Sequence, residues 1–81
     1  MTTFVLQVDL ARSDAELAEI LKQRCAGFGD VRSVKIHRSP TNFALVEMAT
    51  HYQTLEVAAQ YGGSAFGSCA LVHLEQADPP G

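Results

Sequence analysis

The residues of this chain that could bind a ligand are expected to lie near one aromatic side chain, Phe43. A phenyl ring can stack on a nucleic-acid base, and one such stack is worth about 1–3 kcal/mol. Even millimolar binding needs roughly 4 kcal/mol, so Phe43 alone cannot hold a nucleic acid. Four basic side chains that can contact phosphate lie nearby in the sequence, namely Arg32, Lys35, His37 and Arg38.

Further polar and apolar side chains are expected on the same surface. Gln7 can hydrogen-bond a base edge, and His73 can add a polar contact. Leu45, together with Val5 and Leu71, would place aliphatic groups beside them. Aliphatic patches of this kind mark protein contact rather than nucleic-acid contact.

Both main parts of this surface also have a purely structural interpretation. A strand aromatic such as Phe43 can serve only to cover its sheet and stabilise neighbouring strands. Basic side chains on an edge strand can serve only to prevent edge-to-edge pairing with another chain. The sequence leaves these alternatives open.

Length and charge limit the classes of function. The chain has 81 residues, of which 47% are hydrophobic, and a domain this small needs nearly all its apolar side chains in one core. A deep catalytic cleft is therefore not expected, and no enzyme activity, small-molecule substrate or cofactor is predicted. Six basic residues against nine acidic ones give a net charge of −3, so only a local basic patch can attract nucleic acid.

Cysteine and histidine spacing argues against a metal centre. Cys25 and Cys69 lack metal-type spacing and are predicted to be buried free thiols, which fits a reduced, cytoplasmic setting. His37 and His73 are expected on opposite edge strands, too far apart to share an ion. No signal peptide is recognised, and no apolar run approaches the roughly 18 residues that a membrane span requires.

Six secondary-structure elements are predicted to position these residues. Alternating apolar residues indicate strands, and helical apolar spacing after a capping sequence indicates helices. The capping sequences begin at Ser13 and Thr50. The elements are a strand over about 4–10, a helix over 14–26, strands over 31–38 and 42–48, a helix over 51–61 and a strand over 69–75.

The side-chain alternation within the strands assigns their faces. Phe43 and every second residue after it in the third strand are expected on the open side of the sheet. In the last strand, Ala70 and the alternate residues after it are expected to point inward. The opposite register would bury His73 and Glu75. Phe66, in the loop before that strand, is predicted to fill the core.

The βαββαβ order predicts an α+β, ferredoxin-like sandwich. Right-handed crossovers would put both helices on one face of a four-stranded antiparallel sheet with strand order 4-1-3-2. Residues 1–76 would form this domain, and residues 77–81 a flexible tail. The other face of the sheet would stay open.

Four segments of the sequence resemble the RNA recognition motif family, over roughly residues 3–76. They are the run Phe28-Gly29-x-Val31-x-x-Val34-x-Ile36, the strand over 42–48, the glycine-containing loop over 61–67 and the closing hydrophobic strand. In the family's third-strand pattern, Phe43 and Ala44 match. The basic residue, the glycine and the second stacking aromatic are missing. The first-strand stacking position falls at Val5 or Gln7, and neither is aromatic.

The resemblance implies a module that binds single-stranded RNA across the open face of the sheet. With one aromatic stack and a local basic cluster, binding would be weak. The implied RNA-binding residues are Phe43, Lys35, His37, Arg38, Arg32, Gln7, Leu45 and His73. The alternative is a protein-interaction or homodimerisation module that uses the same face, which the acidic balance, the missing aromatics and Leu45 favour.

Overall fold

The computed structural model describes residues 6–61 and 63–77, which form two α-helices and a mixed sheet of five strands. In chain order these are β1 (Leu6–Val8), α1 (Asp14–Cys25), a 3-10 turn (Ala26–Phe28), β2 (Val31–His37), β3 (Phe43–Met48), α2 (His51–Tyr61), β4 (Ser64–Phe66) and β5 (Cys69–Gln76). The α+β class and both helices are confirmed. β4 is an additional strand, in a segment that was predicted to be a loop.

The strand order differs from the prediction. In the described sheet the order is β1-β5-β3-β2, and β4 also pairs with β5. β1 runs parallel to β5, whereas the β2–β3, β3–β5 and β4–β5 pairs are antiparallel. The predicted four-stranded, fully antiparallel sheet of order 4-1-3-2 is therefore wrong, because the last strand rather than the first lies beside β3.

The length and burial of β5 give a physical reason for its inner position. β5 is eight residues long, and every second residue of its first six is buried, so it gains most from pairing on both sides. The described part of β1 buries Leu6 and Val8 and pairs with β5 alone, so β1 lies at the edge of the described sheet. β1 and β4 share one edge of β5: β4 pairs with Cys69–Leu71 and β1 with Leu74–Gln76.

Both helices pack on the same face of the sheet and enclose one core. The predicted registers of β3 and β5 are confirmed, since Ala44, Ala70 and their alternate neighbours point inward. The core side chains are Leu6, Val8, Leu17, Leu21, Cys25, Ala44, Val46, Met48, Val57, Ala70, Val72 and Leu74.

The helix starts follow the predicted capping sequences. The Ser13 hydroxyl accepts a hydrogen bond from the Glu16 amide at 3.2 Å, and the Glu16 carboxylate accepts one from the Ser13 amide at 3.4 Å. At the start of α2, the Thr50 hydroxyl accepts from the Gln53 amide at 3.2 Å. These bonds satisfy helix N–H groups that have no partner within the helix, so the starts were readable from sequence.

Phe66 does not fill the core as predicted. It pairs with Cys69 across the β4–β5 hairpin and is 61% exposed. The hairpin turns at Gly67, which adopts a φ of 62°, a conformation that glycine adopts without strain. Strand alternation then points Ala65 inward and Phe66 outward.

Several other expectations meet the structure only in part. Cys25 is a buried free thiol, as predicted, whereas Cys69 is free but only half-buried. Phe4 and Val5 lie outside the described residues, as do residues 78–81 of the predicted tail. The Ala77 amide donates to the Val8 carbonyl at 2.9 Å. Within the described part of the chain, no helix is long and apolar enough to cross a membrane.

Candidate nucleic-acid interface

The face of the sheet opposite the helices, called the open face hereafter, is built from alternate residues of all five described strands. Its side chains are Gln7 from β1; Ser33, Lys35 and His37 from β2; Phe43, Leu45 and Glu47 from β3; Ser64 and Phe66 from β4; and Cys69, Leu71, His73 and Glu75 from β5.

Three ring side chains lie side by side across the open face. Phe43 pairs with His37 on β2 and with His73 on β5. We call these three residues the ring row. Because neighbouring strands are about 4.8 Å apart, the row is about 10 Å long. The prediction that the two histidines lie on opposite edge strands was wrong, because β5 occupies an inner position in the sheet.

The rings of His37 and Phe43 are stacked on each other. Their centroids are 4.8 Å apart and their planes differ by 11°, which is an offset-stacked arrangement. His37 Nε2 is buried and makes no hydrogen bond within the described residues, so stacking is the contact that orients this imidazole. His37 therefore covers one face of the Phe43 ring; Phe43 as a whole is half-buried, and His73 is exposed.

Lys35 is the cation nearest to the ring row on the open face. It is exposed and pairs with Leu45, one row along the sheet from the His37–Phe43 pair. Two residues of a strand span about 6.6 Å, so the ammonium group can reach a phosphate linking bases stacked on the ring row.

Arg38 is not brought to the open face. Its Nε donates to Asp14 Oδ1 at 2.8 Å, its Nη1 to the Leu10 carbonyl at 2.7 Å and its Nη2 to the Arg12 carbonyl at 2.8 Å. The residue follows the end of β2, and its side chain turns to the loop between β1 and α1. We call this set of bonds the Arg38 clamp. The expected position of Arg38 beside Phe43 is thus corrected.

Two further predicted RNA contacts also lie apart from the ring row. Arg32 is exposed at a register shift between Val31 and Ser33, five residues from His37 and thus about 16 Å along the strand. Gln7 pairs with Glu75 on β5, so β5 separates it from Phe43. Arg32 is separated from the ring row by its position along β2, and Gln7 by the edge position of β1.

The open face carries charges of both signs. Besides Lys35, its described side chains include the carboxylates of Glu47 and Glu75. Glu47 accepts a hydrogen bond from the Ser33 hydroxyl at 3.1 Å, at the end of the sheet away from the ring row. Phosphate attraction therefore depends on a local cation rather than on a basic surface.

An apolar path runs along the open face next to the ring row. Leu45 pairs with Leu71, and Phe66 pairs with Cys69 on the adjoining hairpin. Leu45, Leu71 and Cys69 are half-buried, whereas Phe66 is largely exposed. We call these four residues the apolar path. It continues the ring row toward the β4 edge of the sheet.

The nucleophiles and metal-ligand types of the described residues do not form a second site. No group of three or more histidine, cysteine, aspartate or glutamate side chains that could hold a metal ion occurs within residues 6–61 and 63–77. Burial raises the pKa of the Cys25 thiol to about 11, because a thiolate in the core would lose its hydration. Cys25 is therefore a packing residue.

No protein-family model matches this chain, and no curated protein and no solved structure matches it either. The likeness to the RNA recognition motif family therefore depends on the four sequence segments alone.

Proposed function

We propose that the open face binds single-stranded RNA weakly, with bases stacked on Phe43 and His73 and a phosphate held by Lys35. The observation that carries this proposal is the ring row, in which Phe43 has a histidine directly beside it on each neighbouring strand. Proteins bind the unpaired bases of RNA by stacking them on phenylalanine, tyrosine, tryptophan or histidine rings. His73 supplies the second ring that the third strand lacks at Leu45.

The number of available rings sets the strength of binding. Two stacks at about 1–3 kcal/mol each amount to about 2–6 kcal/mol, and one phosphate contact adds to this. Since millimolar and micromolar dissociation constants correspond to about 4 and 8 kcal/mol, we expect a dissociation constant on the order of 0.1–1 mM at low salt.

The salt dependence of binding should be shallow. For single strands the logarithm of the binding constant falls by about 0.7 per decade of salt for each phosphate neutralised. With Lys35 alone engaged, raising salt from about 50 to about 200 mM should weaken binding only about threefold. Binding that weakened by a factor of hundreds would require a basic surface, which the described side chains of the open face do not form.

The proposal is tested by titrating the protein with mixed-sequence RNA hexamers at low salt and following its backbone NMR signals. The largest shifts should fall on the ring row and Lys35. His73→Ala removes an exposed ring and should weaken binding severalfold. Phe66→Leu removes a ring from the same face outside the ring row and should leave the affinity unchanged. Absence of shifts at millimolar RNA would refute the proposal.

A second candidate function is self-association through the apolar path. Leu45 and Leu71 form a cross-strand pair that the exposed Phe66 extends. Lys35 and Glu47 flank Leu45, so the same patch carries both charges and can complement itself in a two-fold contact. Its occupant would be a second copy of this chain.

Sedimentation at rising protein concentration separates this candidate from RNA binding. Self-association should give a monomer–dimer equilibrium that salt weakens only slightly, because salt screens the exposed Lys35–Glu47 contacts but not the apolar contact of the leucines. Leu45→Lys should then shift the protein to monomer. A strict monomer at millimolar concentration would reject this function and leave RNA binding untouched.

A further inference from the structure

The end of the ring row at His73 adjoins a carboxylate and an amide that make no side-chain hydrogen bond with another described residue. Glu75 follows His73 by two residues on the same face of β5, and Gln7 is its direct partner on the parallel strand β1. Both side chains are exposed. Neither takes part in a side-chain hydrogen bond with another described residue.

A carboxylate on an RNA-binding surface needs a chemical reason, because it repels phosphate. Glu75 lies about 6.6 Å along the strand from His73, within reach of the edge of a base stacked on that imidazole. An ionised carboxylate offers two acceptors and no donor. It can therefore bind a base edge that presents two adjacent donors, and it is repelled by an edge that presents an acceptor.

Only guanine among the four RNA bases presents two adjacent donors on its Watson–Crick edge. Its N1–H and one N2–H match the two carboxylate oxygens, and its O6 accepts from an amide NH₂ group. Adenine and cytosine each place a ring-nitrogen acceptor beside their amino group, and uracil has one donor between two acceptors. Gln7 beside Glu75 supplies the amide donor that O6 requires.

We propose that the open face prefers guanine at the position stacked on His73, read by Glu75 and Gln7. This inference rests on the proposed RNA binding and names the base that it selects. The Glu75 carboxylate would accept from guanine N1–H and N2–H, and the Gln7 amide would donate to O6. Because the pair is exposed, we expect a preference of about fivefold to tenfold, toward the low end of the discrimination that a bidentate contact provides.

The test compares RNA trinucleotides that differ only in the central base, with uridines on both sides. The central bases are guanine, inosine, adenine, cytosine and uracil, and binding is measured by NMR titration at low salt. Inosine keeps N1–H and O6 and lacks the 2-amino group. It should therefore bind with an affinity between those of guanine and adenine.

The variant Glu75→Gln should change the affinity for the guanine trinucleotide in opposite directions, depending on whether Glu75 reads guanine or is only a surface charge. If Glu75 is only a surface charge, its neutralisation reduces phosphate repulsion, and every trinucleotide should bind more tightly. If it reads guanine, the guanine trinucleotide should lose about fivefold in affinity while the others bind equally or better. Glu47→Gln is the matched control, because it neutralises a carboxylate on the same face away from His73 and should keep the guanine preference.

The outcomes separate this inference from the function on which it rests. Guanine preference in the wild type that disappears in Glu75→Gln supports it. Equal affinity for all five trinucleotides, or tighter guanine binding by Glu75→Gln, would overturn the guanine inference while RNA binding stands. Failure of every trinucleotide and hexamer to bind would overturn both.

Discussion

Replacing Arg38 separates its observed structural role from the phosphate contact that the sequence suggested. Arg38→Ala removes the Arg38 clamp, whose three hydrogen bonds of 2.7–2.8 Å join the end of β2 to the β1–α1 loop. A hydrogen bond contributes about 0.5–1.5 kcal/mol net, and the side chain is 38% exposed, so values at the lower end apply. The expected loss is about 1–3 kcal/mol.

Urea unfolding followed by circular dichroism measures this loss, with RNA affinity measured in parallel. At about 1–3 kcal/mol per molar urea for a small protein, the midpoint of Arg38→Ala should fall by about 1 M. Arg38→Lys keeps the charge but cannot make three bonds in the same geometry, so it should be nearly as unstable. At temperatures where they are folded, both variants should bind RNA with the affinity of the wild type.

The matched control is Arg32→Ala, which removes an exposed arginine at the bulge of β2 and should leave the unfolding midpoint unchanged. The reasoning is refuted if Arg38→Ala is as stable as the wild type. It is equally refuted if Arg38→Ala loses RNA affinity and Arg38→Lys restores it, because that pattern belongs to a phosphate contact.

Two further predictions concern the core and the β4–β5 hairpin. The raised pKa of Cys25, about 11 against 9.0 for a free thiol, means that the folded chain keeps a proton that the unfolded chain releases. The contribution of this proton to the free energy of unfolding is fully present below pH 9 and should fall by about 2–3 kcal/mol as the pH rises toward 11. Urea unfolding of the wild type should show this loss, and Cys25→Ala should show a much smaller one, whereas parallel pH profiles would contradict the prediction. Phe66→Ser should lower the free energy of unfolding by less than about 1 kcal/mol, because Phe66 is exposed. Truncating a buried phenylalanine lowers it by about 3–5 kcal/mol, so a loss of that size would show that this ring lies in the core.

Local sequence features predicted the elements and most side-chain directions. Ser13 and Thr50 mark helix starts because their hydroxyls satisfy free amides within the next turn. The inward register of β5 was readable because burying both His73 and Glu75 would cost too much. These features depend on residues within a few positions of each other.

The strand order could not be read from the sequence, because it depends on which distant backbone segments pair. An arrangement with β1 at the edge and β5 as its inner neighbour satisfies the same apolar alternation as the reverse arrangement. The strand order changes the candidate site, because β5 between β1 and β3 places His73 beside Phe43 and separates Gln7 from Phe43. β4 was missed because three residues, one of them a lone aromatic, carry no detectable alternation.

The position of Arg38 was misjudged for a related reason. Sequence proximity to Lys35 and His37 suggested one basic cluster, but β2 ends at His37. The following side chain finds Asp14 and two carbonyl groups of the β1–α1 loop. A guanidinium group donates hydrogen bonds to several nearby acceptors when they are within reach, and it then points away from the sheet face.

The central claim is that RNA bases stack on the ring row, and the ring protons of Phe43 and His73 report on this directly. A base stacked on either ring shifts those protons upfield by its own ring current. We expect saturable upfield shifts of both side chains as RNA is added at low salt, while the ring protons of Phe66 stay unchanged. Unchanged Phe43 and His73 ring protons at millimolar RNA, or shifts confined to Phe66, would contradict the account.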